Sequence, residues 1–266
     1  QKYMETKEQY KDCILFYRLG DFYEMFFDDA IVASKELEIA LTGKSCGLEE
    51  RAPMCGIPYH AVEGYLSKLV SRGYKVAICE QVEDPKLAKG LVKREVIRVV
   101  TPGTNLNVQS LEAGKNNYLL SIAYTPDGIG ISAADVTTGD YYVTEVEDLK
   151  KLNDELMKYE PSEIICNEAF LVSGFDVNDL KSRLHISVNA LESHMFDDDG
   201  CRRILMKHFK VNTLIGLGVE EFPTGLLAAG ALLQYLYDTQ KTDLEHFTHI
   251  YPYLTSRYML LDSSTR

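Results

Sequence analysis

Residues 2–11 are polar and helix-prone, and the run that follows, CILFYRL (13–19), is apolar and aromatic enough to form a buried strand ended by Gly20. From Asp21 the spacing changes. Tyr23, Phe26, Phe27, Ala30, Ala33, Ser34 and Leu37 gather on one face of a helical wheel begun at residue 22. That spacing predicts a helix with Asp21 as its cap and Glu24, three residues on, completing a capping-box pattern. A polar loop is predicted at 43–53, then PMCGIPY as an extended stretch broken by Pro and Gly, then a helix from His60 to Arg72 closed by Gly73. YKVAICEQV (74–82) and REVIRVVT (94–101) read as strands around a basic loop, DPKLAKGLVKR. Together these make one mixed α/β unit ending near TPGT at 101–104.

Residues 105–117 are polar without apolar periodicity, which suits a linker. Three strand-like runs follow, YLLSIAYT, GIGISAADVTT and GDYYVTEV, joined by Pro-Asp-Gly and Thr-Gly-Asp turns as in a meander. The pattern then alternates between helix and strand through LKKLNDELMKY, SEIICN and HISVNA. Helices near 198–210 and 223–239 close it. Three antiparallel strands followed by βαβ units predict a ribonuclease-H-like sheet.

At 266 residues the chain suits two domains, and 45% hydrophobic with 26% charged residues is enough for a real core. No run approaches the roughly 18 apolar residues of a membrane helix. The chain opens on Gln and stops at LLDSSTR directly after an apolar segment, so it is expected to be a piece of something longer. The net charge of −12 is uneven: residues 1–105 hold 15 Lys+Arg against 16 Asp+Glu, and the remainder 13 against 24. A polyanionic partner should therefore meet one face of the N-terminal part. The six cysteines form no C-x-x-C pair and several sit in apolar runs, which predicts reduced, structural thiols in a cytoplasmic protein and no zinc site.

Three motifs invite a catalytic reading, and each has a plainer one. TGKS (42–45) has Glu38 where a phosphate-binding loop needs Gly, and it follows a helix rather than a strand, so it reads as a polar loop in which Gly43 ends that helix. A two-metal nuclease needs converging carboxylates, yet the first strand of the second unit has no acid and Asp135 and Asp140 lack acidic partners nearby in sequence. FDDDG (196–200) lacks calcium-loop spacing, and Asp197 or Asp198 serves as a helix cap. The histidines form no triad. No catalytic residue and no metal ligand is predicted.

RLGDFYEMFFDDA (18–30) leaves one question. On the wheel Phe22 falls at the edge of the core stripe and Glu24 clearly off it, so the pair is either a rim residue with a capping carboxylate or a tip that projects into a partner.

LFYRLGDFYEMFFDDA, APMCGIPYHAVEGYLSKLVSRGYKVAICEQVEDP and REVIRVVTPGT resemble the N-terminal mismatch-recognition domain of the bacterial MutS family of DNA mismatch-repair proteins. The resemblance runs through a connector domain to YPYLTSRYMLLDSSTR, which is similar to the opening of the family's helical core. It implies an α/β chain with a mixed-sheet mismatch-recognition domain at 1–104, a linker at 105–117, a ribonuclease-H-like connector at 118–240 and a truncated core at 241–266. It also implies the family's Phe-x-Glu signature at Phe22 and Glu24, the ring entering the minor groove to stack on a mispaired base and the carboxyl hydrogen-bonding that base. An apolar wedge unstacks and kinks a duplex, and a mispair, already short of pairing energy, costs less to deform. The carboxyl group can accept from a base N–H or, protonated, donate to a base nitrogen.

Backbone contacts are expected from Arg18, Lys44, Arg51, Tyr59, His60, Lys93, Arg94 and Arg98, with Lys86, Lys89, Lys93, Arg94 and Arg98 as a basic cluster. By the same resemblance the parent protein is a DNA-dependent ATPase binding ATP and Mg²⁺ in a part outside this chain. It acts as a homodimer, meets a MutL-type partner through the connector, and is cytoplasmic and nucleoid-associated. This chain is expected to be a non-enzymatic, monomeric recognition module without a cofactor. The rival is a protein-interaction module of a paralogue without mismatch recognition, against which the intact Phe22–Glu24 pair argues.

Overall fold

A computed structural model of the chain describes all residues except 46, 48, 49, 106–114 and 256–266. The chain folds as two compact units, residues 1–110 with 239–241 and residues 111–238 with 242–266. The expected linker at 105–117 lies mostly outside the described residues.

The first unit is a mixed six-stranded sheet. Helix α1 (Lys2–Gln9) leads into strand β1 (Ile14–Leu19), β2 (Phe22–Phe26) and α2 (Phe27–Leu37). Then come β3 (Thr42–Lys44), β4 (Ala52–Pro58), α3 (Val62–Ser71), β5 (Val76–Gln81) and β6 (Arg94–Val100), in the order β3-β4-β2-β1-β5-β6. Only β1 and β5 run parallel. One face buries Ile14, Phe16, Tyr23, Met25, Ile57 and Ile78 under α2 and α3. The opposite face buries Leu15, Tyr17, Ala77 and Cys79, with Tyr3 of α1 edge-on to Tyr17 and Phe26. Full burial of each large side chain stabilises the fold by roughly 1.5–3 kcal/mol. Asp29 fixes α2 to the sheet. Its buried carboxylate accepts from the Leu15 amide at 3.0 Å and pairs with Lys7 at 2.9 Å, so neither buried charge lacks a partner.

The expected helix beginning at Phe22 is corrected here. Residues 22–26 are a strand, paired Leu19↔Phe22 and Tyr17↔Glu24 with β1, and the helix begins only at Phe27. Asp21 caps nothing. With Gly20 at φ +61 it forms the two-residue loop of a hairpin, whose first central position calls for a positive φ. Phe27, at φ +54, then turns the chain out of the strand into α2. The expected polar loop at 43–53 likewise contains β3 and the start of β4. It is Glu38 in the left-handed conformation, not Gly43, that closes α2.

The second unit has sheet order β11-β10-β7-β8-β9-β12, from β7 (Leu119–Thr125), β8 (Gly128–Asp135), β9 (Asp140–Val146), β10 (Glu163–Cys166), β11 (Ser187–Ala190) and β12 (Tyr251–Pro252). An antiparallel meander followed by two parallel strands on the far side of its first strand is the predicted ribonuclease-H-like arrangement. Helix α4 (Leu149–Tyr159), with the short α5 (Glu168–Leu171) and α6 (Val177–Ser182), covers one face. Helices α7 (Asp198–Phe209) and α8 (Pro223–Gln240) cover the other. Asp197 caps α7 by accepting from the Gly200 amide at 2.9 Å, as expected. Helix α8 is apolar nearly all round and correspondingly buried. The sheet continues past residue 240: Tyr251 pairs with Tyr142, so the described part of the expected core stub completes this unit's edge.

Candidate nucleic-acid interface

Strand alternation builds the site. Along β2, Tyr23 and Met25 point to the α2/α3 face and are 5% and 0% exposed. Phe22 and Glu24 therefore point to the opposite face. There Tyr3 of α1 packs on Tyr17 and Phe26, whereas Phe22 is 48% exposed. Leu19 and Pro58 flank Phe22 from the neighbouring strands. Phe22 is thus not at the rim of a helical stripe but an outward ring at the start of a strand.

Glu24 lies on the same face, largely shielded, with its carboxylate 2.9 Å from the Lys44 ammonium. Lys44 also stands over the Phe26 ring, 5.6 Å from its centre. Beneath this face Tyr23 donates its hydroxyl to Glu80. Burial, then that hydrogen bond, pushes the Tyr23 phenol up to about 12, so it remains a neutral donor. Glu80 also pairs with Arg18 at 2.9 Å, and no sequence signal identified it as the acid organising this corner.

The cations expected to hold phosphates are placed unequally. Arg18 is engaged by Glu80 and donates to Gly20 O at 2.6 Å, with its guanidinium 3.9 Å from the centre of the exposed Tyr59 ring. Arg94 turns inward, donating to the Arg18 carbonyl at 2.7 Å and lying over Tyr17 at 5.2 Å. Arg51, Tyr59 and His60 are exposed, with Tyr59 and His60 edge to face at 6.0 Å. Lys93 is exposed and pairs with Glu95 at 3.1 Å, a surface pair of little energetic weight. Arg98 pairs across the strand with Ile78, a residue of the α2/α3 face, and lies 4.0 Å from Glu63 of α3. The structure thus puts Arg98 on the face opposite Phe22. A β-bulge in β6 after Val96 reverses the alternation, so Arg94 and Arg98 lie on different faces although they are four residues apart. Of the basic cluster, Lys86, Lys89 and Lys93 are exposed and lie on the β5–β6 connection.

In the second unit Asp135 is fully buried and accepts from the Thr137 amide at 2.9 Å and the Asn117 amide at 3.3 Å, so it holds a turn. Among the described residues no group of three or more His, Cys, Asp or Glu side chains is placed to hold a metal ion. No helix among them is long and apolar enough to cross a membrane.

Comparison with known proteins follows the two units. Residues 1–109 match the model of MutS domain I and residues 117–248 that of MutS domain II. The chain is 66% identical over 266 residues to the DNA mismatch repair protein MutS of Lachnoclostridium phytofermentans, covering 100% of this chain and 28% of that protein. It is 51% identical to the protein of the same name from Ruminiclostridium cellulolyticum, covering 100% of this chain and 30% of the relative. With the one from Acetivibrio thermocellus it is 51% identical, covering 100% and 31%. The chain therefore spans under a third of these curated relatives, and the stretch it matches is their N-terminal part.

Proposed function

This chain belongs to the MutS family, matched through its domains I and II, and from that membership we propose that its first unit recognises mispaired or unpaired bases in double-stranded DNA. The reading rests on one observation above others: strand β2 buries Tyr23 and Met25 and leaves the Phe22 ring outward beside Glu24. A ring so placed can enter the minor groove and stack on any base, since every base has a π-face. Glu24, on the same face, hydrogen-bonds the displaced base. Selection then comes from the lower cost of deforming a mispair.

The phosphate contacts come from the rim: the exposed Lys86, Lys89 and Lys93, with Arg51 and His60, and Tyr59 next to the Pro58 that faces Phe22. Arg18 and Arg94 brace the hairpin that carries Phe22. The chain itself performs no catalysis and needs no cofactor. In the longer protein, a downstream ATPase binding ATP and Mg²⁺ responds to mismatch binding, a homodimer encloses the duplex, and the second unit meets a MutL-type partner in the cytoplasm of the bacterial cell.

Fluorescence anisotropy at low salt, with a perfect duplex and one carrying a single G·T mispair, tests the reading. Preference for the mispair that disappears in Phe22→Ala supports it. Equal binding to both duplexes, unaltered by the substitution, refutes it.

A further inference from the structure

A carboxylate is a poor group to present to a polyanion, and the way the first sheet handles Glu24 suggests how this one is made usable. In the strand order β3-β4-β2, one strand stands between Glu24 and Lys44. The residue directly opposite Glu24 on that strand is Gly56. A Cβ added there would make an ordinary contact with Glu24 Cγ at 3.6 Å, so the Glu24 side chain lies against β4 at this position. Lys44, at the end of the three-residue edge strand β3, comes back along the same face over Phe26 and meets the carboxylate at 2.9 Å. The Glu24 side chain is 16% exposed and that of Lys44 43%, so the acid is shielded and the cation is outward.

Resting on the reading of Glu24 as a base contact, we propose that Lys44 is a positioning residue for Glu24, rather than one more phosphate contact. It fixes the carboxylate by a charge-assisted hydrogen bond and cancels its charge, so the pair can enter the groove as a neutral unit. A carboxylate without this partner would be pushed off by the flanking phosphates, and its rotamer would be unset. Lys44 therefore sets how much Glu24 adds to discrimination between mispaired and perfect duplex. A lysine serving only phosphate would change both duplexes alike.

The test is a double-mutant cycle in this chain. Glu24→Ala, Lys44→Met and the double variant are compared with wild type on perfect and G·T duplexes, with Lys44→Arg as the conservative control. The expected result is that Lys44→Met lowers the mispair-to-perfect affinity ratio by about tenfold, the worth of one charge-assisted bond. Adding it to Glu24→Ala should lower the ratio no further, and Lys44→Arg should restore most of it. Equal loss on both duplexes, whether Glu24 is present or not, overturns the proposal and leaves Lys44 a phosphate contact. A ratio unaffected by Glu24→Ala removes the Glu24 reading itself, and the proposal falls with it. Urea denaturation of each variant separates these outcomes from misfolding, since the pair lies at the sheet surface and its loss should hardly shift the midpoint.

Discussion

Phe22 and Tyr23 are neighbours in sequence on opposite faces of one strand: Phe22 is 48% exposed, whereas Tyr23 is 5% exposed and hydrogen-bonded to Glu80. Their substitutions should therefore separate. Phe22→Ala removes little buried surface and should alter the free energy of unfolding by less than about 1 kcal/mol. Tyr23→Ala leaves a cavity and takes one hydrogen-bond donor from Glu80, which keeps Arg18, and should cost about 3 kcal/mol or more. Urea denaturation of the two variants measures both, and comparable losses would mean that Phe22 is part of the core.

Glu145 of β9 caps α8 from outside the helix, accepting from the amides of Thr224 at 2.7 Å and Gly225 at 3.2 Å. A negative group at a helix N-terminus satisfies otherwise orphaned donors and complements the dipole. Glu145→Ala should cost about 1–2 kcal/mol, and Glu145→Gln less, because its amide oxygen still accepts. Thermal melts of the two variants check the order.

Gly130 shows how closely α8 approaches the sheet. A Cβ there would lie 1.9 Å from the Thr224 carbonyl oxygen, so the helix would have to move. Gly130→Ala should destabilise by roughly 3 kcal/mol, lowering the melting temperature by on the order of 5–10 °C. Gly64 is the counter-case. It lies inside α3 with nothing within 4 Å of an added Cβ, so Gly64→Ala should stabilise by about 0.5–1 kcal/mol.

Burial pushes the thiols of Cys55 and Cys79 up to about 11 and those of Cys13, Cys166 and Cys201 up to about 12. The thiolate is the reactive form, so these five should resist a thiol reagent at pH 8 until urea unfolds the chain; a Cys46→Ser background removes the sixth cysteine from the count. The sign of the pH effect follows. Each folded value exceeds the ordinary unfolded value of about 8.5. The contribution is therefore fully present below about pH 8.5 and is lost as pH rises through 11–12, which urea midpoints between pH 8 and 11 should register as a decline.

Much of the fold was legible in sequence because its signals are local. The meander β7–β9 has turn residues between alternating apolar runs, and Asp197 stands where a cap is needed. The strand at 22–26 was not legible from periodicity. FYEMFF satisfies a helical stripe as well as an alternating one, and Asp21 with Glu24 happens to match a capping box. The deciding signal was the two-residue Gly20–Asp21 turn between Leu19 and Phe22, a hairpin cue, together with the left-handed Phe27 that no propensity anticipates. Strand β4 was masked by Pro53, Gly56 and Pro58, residues that weaken any strand assignment. Phe22 and Glu24 are singled out by resemblance to a family signature, not by periodicity. The Glu24–Lys44 pair and the Arg18–Glu80–Tyr23 network join residues 20 to 62 positions apart, which only the register of the sheet brings together.

On the proposed function, the Phe22 ring enters the duplex at a mispair. The most direct measurement is the emission of 2-aminopurine placed next to a G·T mispair, titrated with wild type and with Phe22→Ala at matched saturation. Insertion unstacks the neighbouring step, so emission should rise on binding wild type and stay near its free value with Phe22→Ala. An equal rise with both proteins, or none with either at saturation, would mean that the Phe22 ring does not enter the duplex.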